Sequence, residues 1–176
     1  MIKNHKTTGA FSPSTVFLAK RMINTIDFST ARVLVEFGPG NGVITRQILK
    51  KMHKDAILIC FEVNDAFYQH ISKIKDSRLV LVKQSAANVI DYLATMNYQS
   101  ADCVISSLPL SVLPKEVTTL ILKNAKKVLK PKGFFIQYQY TTSFYKDFKQ
   151  LFGNKNVFLA FELLNVPPAF IYKCIK

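Results

Sequence analysis

The spacing of hydrophobic residues along this chain alternates between a strand pattern and a helical pattern. Short apolar runs predict strands at residues 32–37, 56–63, 78–84, 101–108 and 133–141. Apolar positions three or four residues apart predict a helix after each strand, at residues 42–52, 65–74, 88–96, 114–129 and 143–152. This order predicts an α/β fold with a mostly parallel sheet that is covered by helices on both faces.

The end of the chain departs from this alternation. Residues 157–166 and 169–176 both have strand character, and only Pro167 and Pro168 lie between them. Two strands joined without a helix pair in antiparallel fashion. We therefore predict seven strands, of which the last is antiparallel.

A further helix is predicted before the first strand, at residues 12–26. Ser12 suits the N-cap, and Pro13 suits the first helical position because no backbone donor is needed there. The apolar face is formed by residues at helical spacing, namely Val16, Ala19, Ile23 and Ile26. Lys20 and Arg21 stand beside that face, so the helix is amphipathic.

Length and charge narrow the classes of function. The 176 residues suffice for one full core, and we divide them into an N-terminal tail with its helix, 1–28, and a main domain, 29–176. The formal net charge is +13, and lysines are densest at 122–133. This excess favours a polyanionic partner, either nucleic acid or an anionic membrane surface, with a solvated basic surface as the alternative. Charge alone does not choose between RNA and lipid.

Cysteine usage and the lack of long apolar stretches predict the compartment. Cys60, Cys103 and Cys174 each lie in an apolar run, without a CxxC pair or a Cys/His cluster. We therefore expect buried, reduced thiols and no metal site. No apolar stretch reaches the roughly 18–20 residues that span a bilayer, and the N-terminus has no h-region of a signal peptide. These features predict a cytoplasmic protein.

Three glycines lie in one turn after the first strand, in the stretch LVEFGPGNGVITRQI. The dinucleotide fingerprint requires its third glycine at the sixth place, but Val43 stands there and Gly42 comes one place early. Glu36, just before the turn, would repel a pyrophosphate and suits a ligand with a cationic end. No Gly-Lys-Ser/Thr follows, which excludes a Walker A loop.

A second acidic residue ends the second strand, in FEVND. Glu62 lies 20 residues beyond Gly42, where a carboxylate can accept both hydroxyls of a ribose. The two acids together predict an adenosine-type ligand without a pyrophosphate. The alternative is that Glu36 pairs with a lysine and that Glu62 only ends a strand.

The segments VEFGPGNGVIT and FEVND resemble motifs one and two of class I S-adenosylmethionine-dependent methyltransferases. That family has a Rossmann-like, seven-stranded sheet whose last strand is antiparallel. The resemblance implies that the glycine turn lies along the methionine half of S-adenosylmethionine and that Glu62 takes the ribose. The family often has an acidic residue after strand three for the adenine, where this chain has Ser85-Ala86, with Asn88 as a further candidate. The predicted cofactor-binding residues are Glu36, Gly38, Pro39, Gly40, Asn41, Gly42, Glu62, Val63, Ser85, Ala86 and Ser106.

The loop after strand four, ISSLPLSVLP, is where this family meets the methyl acceptor. Relatives that methylate adenine carry Asn-Pro-Pro-Tyr or a close variant, and the aromatic ring stacks on the base. The corresponding residues here, 107–110, read Ser-Leu-Pro-Leu and lack that ring. We predict that the backbone carbonyls of Ser107 and Leu108 orient an amine. Tyr138 and Tyr140 are candidate partners of the headgroup, or else amphipathic residues at a strand end.

Three segments also resemble bacterial phospholipid N-methyltransferases, namely 7–23, 104–114 and 165–174. This resemblance implies methylation of phosphatidylethanolamine or another aminolipid, such as an ornithine lipid. We further predict a monomer that is peripheral at the inner face of an anionic membrane. Because its first helix is amphipathic and basic, that helix can lie on the bilayer, close over the cofactor as a lid or pack as a core helix. The alternatives are an rRNA adenine N6-methyltransferase, since the two groups are related, and a non-enzymatic S-adenosylmethionine-binding module.

Overall fold

One sheet of seven strands organises the chain, and a computed structural model describes residues 15–176. The strands are β1 Val33–Phe37, β2 Ile57–Phe61, β3 Leu79–Val82, β4 Ala101–Ser106, β5 Leu129–Gln139, β6 Val157–Glu162 and β7 Ala169–Ile175. The helices are α1 Val16–Ile23, α2 Val43–Lys51, α3 Asp65–Ile71, α4 Val89–Thr95, α5 Lys115–Val128 and α6 Tyr145–Phe152. Short 3-10 turns occupy Ala86–Asn88 and Asn154–Asn156.

The strand order is β3-β2-β1-β4-β5-β7-β6, and the predicted Rossmann-like fold is confirmed. Strands β1 to β5 are parallel to one another, while β7 is antiparallel to both β5 and β6. Because β7 is reversed against both partners, β6 runs in the same direction as β1 to β5. The turn between β6 and β7 therefore lies at the carboxyl edge of the sheet, together with the ends of β1, β2 and β4.

Two apolar cores lie on the two faces of the sheet. Leu34 of β1 packs on one face with residues of α1 and α2, whereas the next residue, Val35, packs on the other with α4, α5 and α6. Successive side chains of a strand point to opposite faces. Because both faces of the sheet are covered, the strands are apolar along their whole length and do not alternate between apolar and polar residues.

The start of β5 differs from the prediction. The sequence predicts a strand from residue 133 after a break at Lys-Pro-Lys-Gly, but β5 begins at Leu129 and runs through that segment. Asp102 accounts for part of the difference, because it forms an ion pair with Lys130 and accepts hydrogen bonds from the backbone nitrogens of Arg32 and Val33. This carboxylate therefore joins β1, β4 and the start of β5.

The first helix is capped by Thr15, whose hydroxyl accepts a hydrogen bond from the backbone nitrogen of Leu18 at 3.2 Å. A side-chain oxygen at this position satisfies one of the unpaired donors of the first helical turn. The predicted cap at Ser12 and the predicted first residue Pro13 lie outside the described residues.

The buried face of α1 is rotated from the predicted one. Val16 was predicted to be apolar-facing but is 45% exposed, whereas Leu18 and Met22 are buried with Ala19 and Ile23. Helix α1 contacts α2, β5 and β6, and its apolar side is therefore covered by protein. The division at residue 28 stays a prediction, but α1 shares one core with the main domain.

The three cysteines are buried free thiols, as predicted. Burial raises the pKa of each thiol above its ordinary value, because the apolar interior solvates a thiolate poorly. Within residues 15–176, no group of three His, Cys, Asp or Glu side chains is placed to hold a metal ion. In the same span, every helix is too short or too polar to cross a membrane.

We expect Leu18→Ala to lower the free energy of unfolding by about 2–5 kcal/mol, because it removes a fully buried side chain. Phe17→Ala is the matched control, since its ring is 56% exposed, and its effect should stay within about 0.5 kcal/mol. Urea unfolding measures both values. Equal values for the two variants would show that α1 does not belong to the core.

Candidate active site

The candidate site lies at the carboxyl edge, where the ends of β2, β1 and β4 are neighbours. Backbone hydrogen bonds join these ends. Gly38, in the turn after β1, donates to the carbonyl of Phe61 in β2 at 2.9 Å. Ser107, in the loop after β4, donates to the carbonyl of Phe37 in β1 at 2.9 Å. The residues after three strands thus form one continuous surface at the switch point of the sheet.

The three glycines of the turn adopt left-handed φ angles of +67°, +54° and +75°, which side chains with a Cβ rarely adopt. A Cβ at Gly38 would approach Leu108 Cδ2 to 2.8 Å, and a Cβ at Gly42 would approach Ile71 Cδ1 to 2.6 Å. A Cβ at Gly40 would meet no atom within 4 Å. Gly38 and Gly42 are therefore needed for close packing within the protein, whereas Gly40 leaves space open for a ligand.

Hydrogen bonds hold the rest of the turn in place. The Gly42 nitrogen donates to the Pro39 carbonyl at 2.8 Å, and the Arg46 guanidinium donates to the Asn41 carbonyl at 2.7 Å. Arg46 also lies 3.3 Å from the His70 ring. Sequence reasoning missed Arg46, although its position in the first turn of the following helix was a signal that it could reach back to the glycines.

Glu62 joins the glycine turn to the residue after β2. Its Oε2 accepts a hydrogen bond from the Gly40 nitrogen at 3.3 Å, and its Oε1 accepts one from the Asn64 nitrogen at 2.9 Å. A carboxylate oxygen has a second lone pair, so both oxygens can still accept a hydroxyl. The role of Glu62 at a ribose stays a prediction, and the contact to Gly40 places the carboxylate beside the open space.

Glu36 is completely buried, and one of its oxygens has no partner. Oε2 accepts hydrogen bonds from the Thr45 hydroxyl at 2.7 Å and the Cys60 thiol at 3.3 Å, whereas Oε1 has none. Among residues 15–176 its side-chain partners are thus a hydroxyl and a thiol, and no lysine of that span pairs with it. Burial raises the pKa of Glu36 to about 7, and the negative charge of Glu62 adds to the shift. A cationic group would satisfy the unpaired oxygen and favour the ionised carboxylate.

The predicted adenine side consists of residues after β2 and β3. Val63 is 65% exposed and offers an apolar surface. The Ser85 hydroxyl accepts a hydrogen bond from the Ala87 nitrogen at 3.2 Å, and Ala86 is buried. The Asn88 amide lies on the surface, 3.4 Å from the Gln84 side chain. Ser85 therefore caps a 3-10 turn, and its contact with an adenine stays a prediction.

The acceptor loop after β4 is fixed by internal hydrogen bonds. The buried Ser106 hydroxyl accepts from the Leu108 nitrogen at 3.3 Å. The Leu108 carbonyl accepts from the side chains of Gln137 and Gln139, each at 3.1 Å, and from the Leu110 nitrogen at 2.9 Å. A carbonyl oxygen has two lone pairs, so these three donors use its capacity. The role of the Leu108 carbonyl in orienting an amine stays a prediction, as does that of the Ser107 carbonyl, which has no such set of donors to displace among residues 15–176.

Gln137 and Gln139 are, besides Arg46, site residues that sequence reasoning missed. Gln137 is completely buried, and its Oε1 has no partner. Its Nε2 also donates to the Tyr138 carbonyl at 2.7 Å. The available signal was the pattern FFIQYQY, in which polar residues recur every second position of a buried strand. An unpaired buried amide oxygen beside the acceptor loop can accept a hydrogen bond from an amine.

Tyr138 and Tyr140 lie on the opposite face of β5 from these glutamines, because neighbouring residues of a strand alternate. Tyr138 is only 9% exposed and packs in the same core as α1. The two rings meet edge to face, with centroids 5.7 Å apart. The structure thus places both tyrosines away from the Leu108 carbonyl, and it favours the interpretation as strand-end residues.

A cavity of about 650 Å³ opens beside the acceptor loop, between α5 and α6. Leu110, Leu113 and Phe144 supply apolar walls. Lys115 and Lys123 supply positive charge, and Asp147 supplies one negative charge. An apolar pocket with a few charged groups is typical of a small-molecule site.

Comparison with known proteins agrees with this geometry. The family described as "Methyltransferase small domain" matches residues 2–162. An ornithine lipid N-methyltransferase of Singulisphaera acidiphila is 30% identical over 174 residues, which cover 98% of this chain and 90% of that protein.

Two solved structures have the same fold. The precorrin-6y C5,15-methyltransferase of Geobacter metallireducens GS-15 superposes with a TM-score of 0.70 at 13% identity, covering 90% of this chain and 88% of that chain. A SAM-dependent methyltransferase of Archaeoglobus fulgidus superposes with a TM-score of 0.64 at 12% identity, covering 92% of this chain and 95% of that chain. At such identities the likeness concerns the fold alone.

We expect Gly40→Leu to abolish detectable binding of S-adenosylhomocysteine, because the side chain fills the open space beside Glu62. Gly153→Leu is the matched control, since Gly153 has a φ of +97° and lies at the end of α6. Both variants should lose about 1–3 kcal/mol of stability from backbone strain, but only the first should lose binding in isothermal titration. Equal affinities would show that the ligand does not approach Gly40.

The raised pKa of Glu36 predicts a pH-dependent stability. The folded protein keeps this proton up to about pH 7, whereas the unfolded chain loses it near 4.5. Its contribution is therefore full below pH 4.5 and is lost as the pH rises through 7.

Compared with Glu36→Gln, which does not titrate, the natural protein should lose about 2 kcal/mol of unfolding free energy between about pH 5 and pH 8. Urea unfolding at both pH values measures the difference, with the exposed Glu116→Gln as control. Parallel pH curves for Glu36→Gln and the natural protein would contradict the assignment.

Proposed function

Because the chain belongs to the methyltransferase small domain family, we propose that it N-methylates the amine headgroup of an aminolipid at an anionic membrane surface. The chain is an S-adenosylmethionine-dependent methyltransferase, so the proposal concerns the acceptor. Phosphatidylethanolamine and ornithine lipids are the two candidate acceptors. The proposed location is peripheral, at the inner face of the membrane, with the protein as a monomer.

One observation carries the proposal, namely the likeness to an ornithine lipid N-methyltransferase along nearly the whole chain. The acceptor loop supports it independently. Val112 is 63% exposed, and Leu110 and Leu113 line the neighbouring cavity, so the surroundings of the acceptor are apolar. Lys115 and Lys123 in the same cavity suit the phosphate or carboxylate of a lipid headgroup.

The residues of the chain fit the cofactor, since Gly40 borders open space and Glu36 has an unpaired oxygen. Glu36 would hold the ammonium of S-adenosylmethionine, and Glu62 would accept its ribose hydroxyls. Bound there, the cofactor supplies a reactive sulfonium methyl group.

The chain's contribution to the transfer is to position and desolvate an uncharged amine. The Ser107 carbonyl and Gln137 Oε1 would accept its N–H hydrogen bonds and so direct the lone pair to the methyl group. The three donors on the Leu108 carbonyl keep this loop rigid. A solvent path for the released proton completes the reaction without an assigned general base.

The rRNA adenine N6-methyltransferase is the second candidate, and the net charge of +13 favours it. The acceptor loop speaks against it, because residues 107–110 contain no aromatic ring that would stack on a flipped adenine.

We expect label from S-adenosylmethionine to enter lipid and not RNA when the protein is incubated separately with total lipid and total RNA. Purified phosphatidylethanolamine and ornithine lipid then separate the two candidate acceptors. Gly40→Leu is the negative control for both pools. Label in RNA with none in lipid would replace the proposed function by the second candidate.

A further inference from the structure

We propose that five exposed apolar residues insert into an anionic membrane and bring the carboxyl edge of the sheet to the lipid headgroups. We call this set the apolar rim, and it consists of Val16, Phe17, Leu163, Leu164 and Val166. The inference rests on the proposed function, because a lipid acceptor requires the enzyme to approach the bilayer at its active edge.

The apolar rim exposes large side chains to an unusual degree. Leu163, Leu164 and Val166 are 70%, 62% and 73% exposed in the β6–β7 turn. Phe17 and Val16 in the first turn of α1 are 56% and 45% exposed. Scattered exposed apolar residues need no explanation, but a contiguous patch marks a binding surface.

A buried asparagine joins the two parts of the rim. Asn165, between the exposed residues of the turn, is completely buried. Its Oδ1 accepts a hydrogen bond from the Thr15 nitrogen at 3.0 Å, and its Nδ2 donates to the Pro167 carbonyl at 2.7 Å. The Leu164 nitrogen also donates to the Glu162 carboxylate at 2.9 Å. These hydrogen bonds order the turn, and its two leucines are held outward beside the start of α1.

The position of the turn relates it to the active site. The turn begins after Glu162 at the carboxyl end of β6, and Glu162 pairs with Ala169 at the start of β7. The next residue, Phe170, pairs with Gln139 at the end of β5. The turn thus stands at the same edge as the acceptor loop and the glycine turn, and insertion there would bring headgroups to the crevice.

The charge beside the rim identifies the partner. Phe17 lines a shallow groove together with Lys20, Arg21 and Lys51, opposed by the single carboxylate of Glu162. The whole chain carries a net charge of +13. Apolar residues flanked by cations suit a bilayer with anionic headgroups, whereas a second copy of this basic chain would be repelled.

The rim also changes the role expected of the first helix. Leu18 and Met22 on its apolar face are buried in the protein. The helix therefore does not lie flat on the bilayer with that face, but contributes the exposed residues of its first turn.

The chain contains no tryptophan, so a single introduced indole reports on its own position. We expect Leu164→Trp to show a blue-shifted emission with vesicles of phosphatidylcholine and phosphatidylglycerol, and quenching by brominated acyl chains. Phe158→Trp is the matched control, because Phe158 is 53% exposed at the opposite end of β6. Vesicle binding without any change at residue 164 would overturn the inference.

A triple variant, Leu163→Ser, Leu164→Ser and Val166→Ser, tests the function of the rim. We expect it to keep binding of S-adenosylhomocysteine and methylation of aminolipid in detergent micelles. Its binding to anionic vesicles and its methylation of vesicle lipid should fall at least about tenfold. Unchanged vesicle binding by the triple variant would overturn the proposal that the rim inserts into the membrane. Methylation of aminolipid in micelles would at the same time uphold the proposed function.

Other outcomes separate the two proposals further. Rim-dependent vesicle binding without lipid methylation in micelles would uphold the rim and remove the proposed function. A natural protein that sediments as a dimer, and becomes monomeric in the triple variant, would assign the rim to a second copy and overturn the inference. Loss of RNA binding with vesicle binding intact would overturn it in favour of RNA.

Discussion

The turn after β1 is held between the ends of two neighbouring strands by main-chain hydrogen bonds. Gly38 bonds to the end of β2, and Ser107 bonds back to the end of β1. Glu62 then bonds to Gly40 across the opening. The floor of the crevice is therefore main chain, and hydrogen bonds join the glycine turn, Glu62 and the acceptor loop. Main-chain bonds set the spacing between the glycine turn and the acceptor loop, and the Glu62 carboxylate adds a side-chain contact.

Two buried oxygens without a partner mark the two sides of this crevice. Among the described residues, Glu36 Oε1 and Gln137 Oε1 are the buried side-chain oxygens that lack a hydrogen bond. Glu36 lies just before the glycine turn, and Gln137 contacts the acceptor loop. An unsatisfied buried acceptor is unfavourable in the folded protein. Under the proposed function, the ammonium of the cofactor would supply a donor to Glu36, and the amine of the acceptor would supply one to Gln137.

The fold and half of the site follow from local sequence patterns. The strand–helix alternation and the closing hairpin predict a mostly parallel sheet with an antiparallel last strand, and the spacing of Gly38, Gly40 and Gly42 before α2 predicts the turn. The sequence does not predict which side chains of β5 face which side of the sheet, because both faces of this strand are buried. For this reason the sequence predicts Tyr138 as a partner of the headgroup, whereas Gln137 is the residue that contacts the loop. The Leu108 carbonyl accepts hydrogen bonds from side chains 29 and 31 residues further along. Only the folded chain reveals such long-range pairing.

The hydrogen bond between Thr15 and Asn165 joins residues that are 150 positions apart. During synthesis the start of α1 leaves the ribosome long before its partner exists. The helix must also wait for β5 and β6, against which it packs. Contacts between distant parts of a chain form late, because their closure costs the most chain entropy. The first helix is thus the first to be made and among the last to be fixed in place, because its apolar face is fully covered only after β5 and the final hairpin have joined α2 against it.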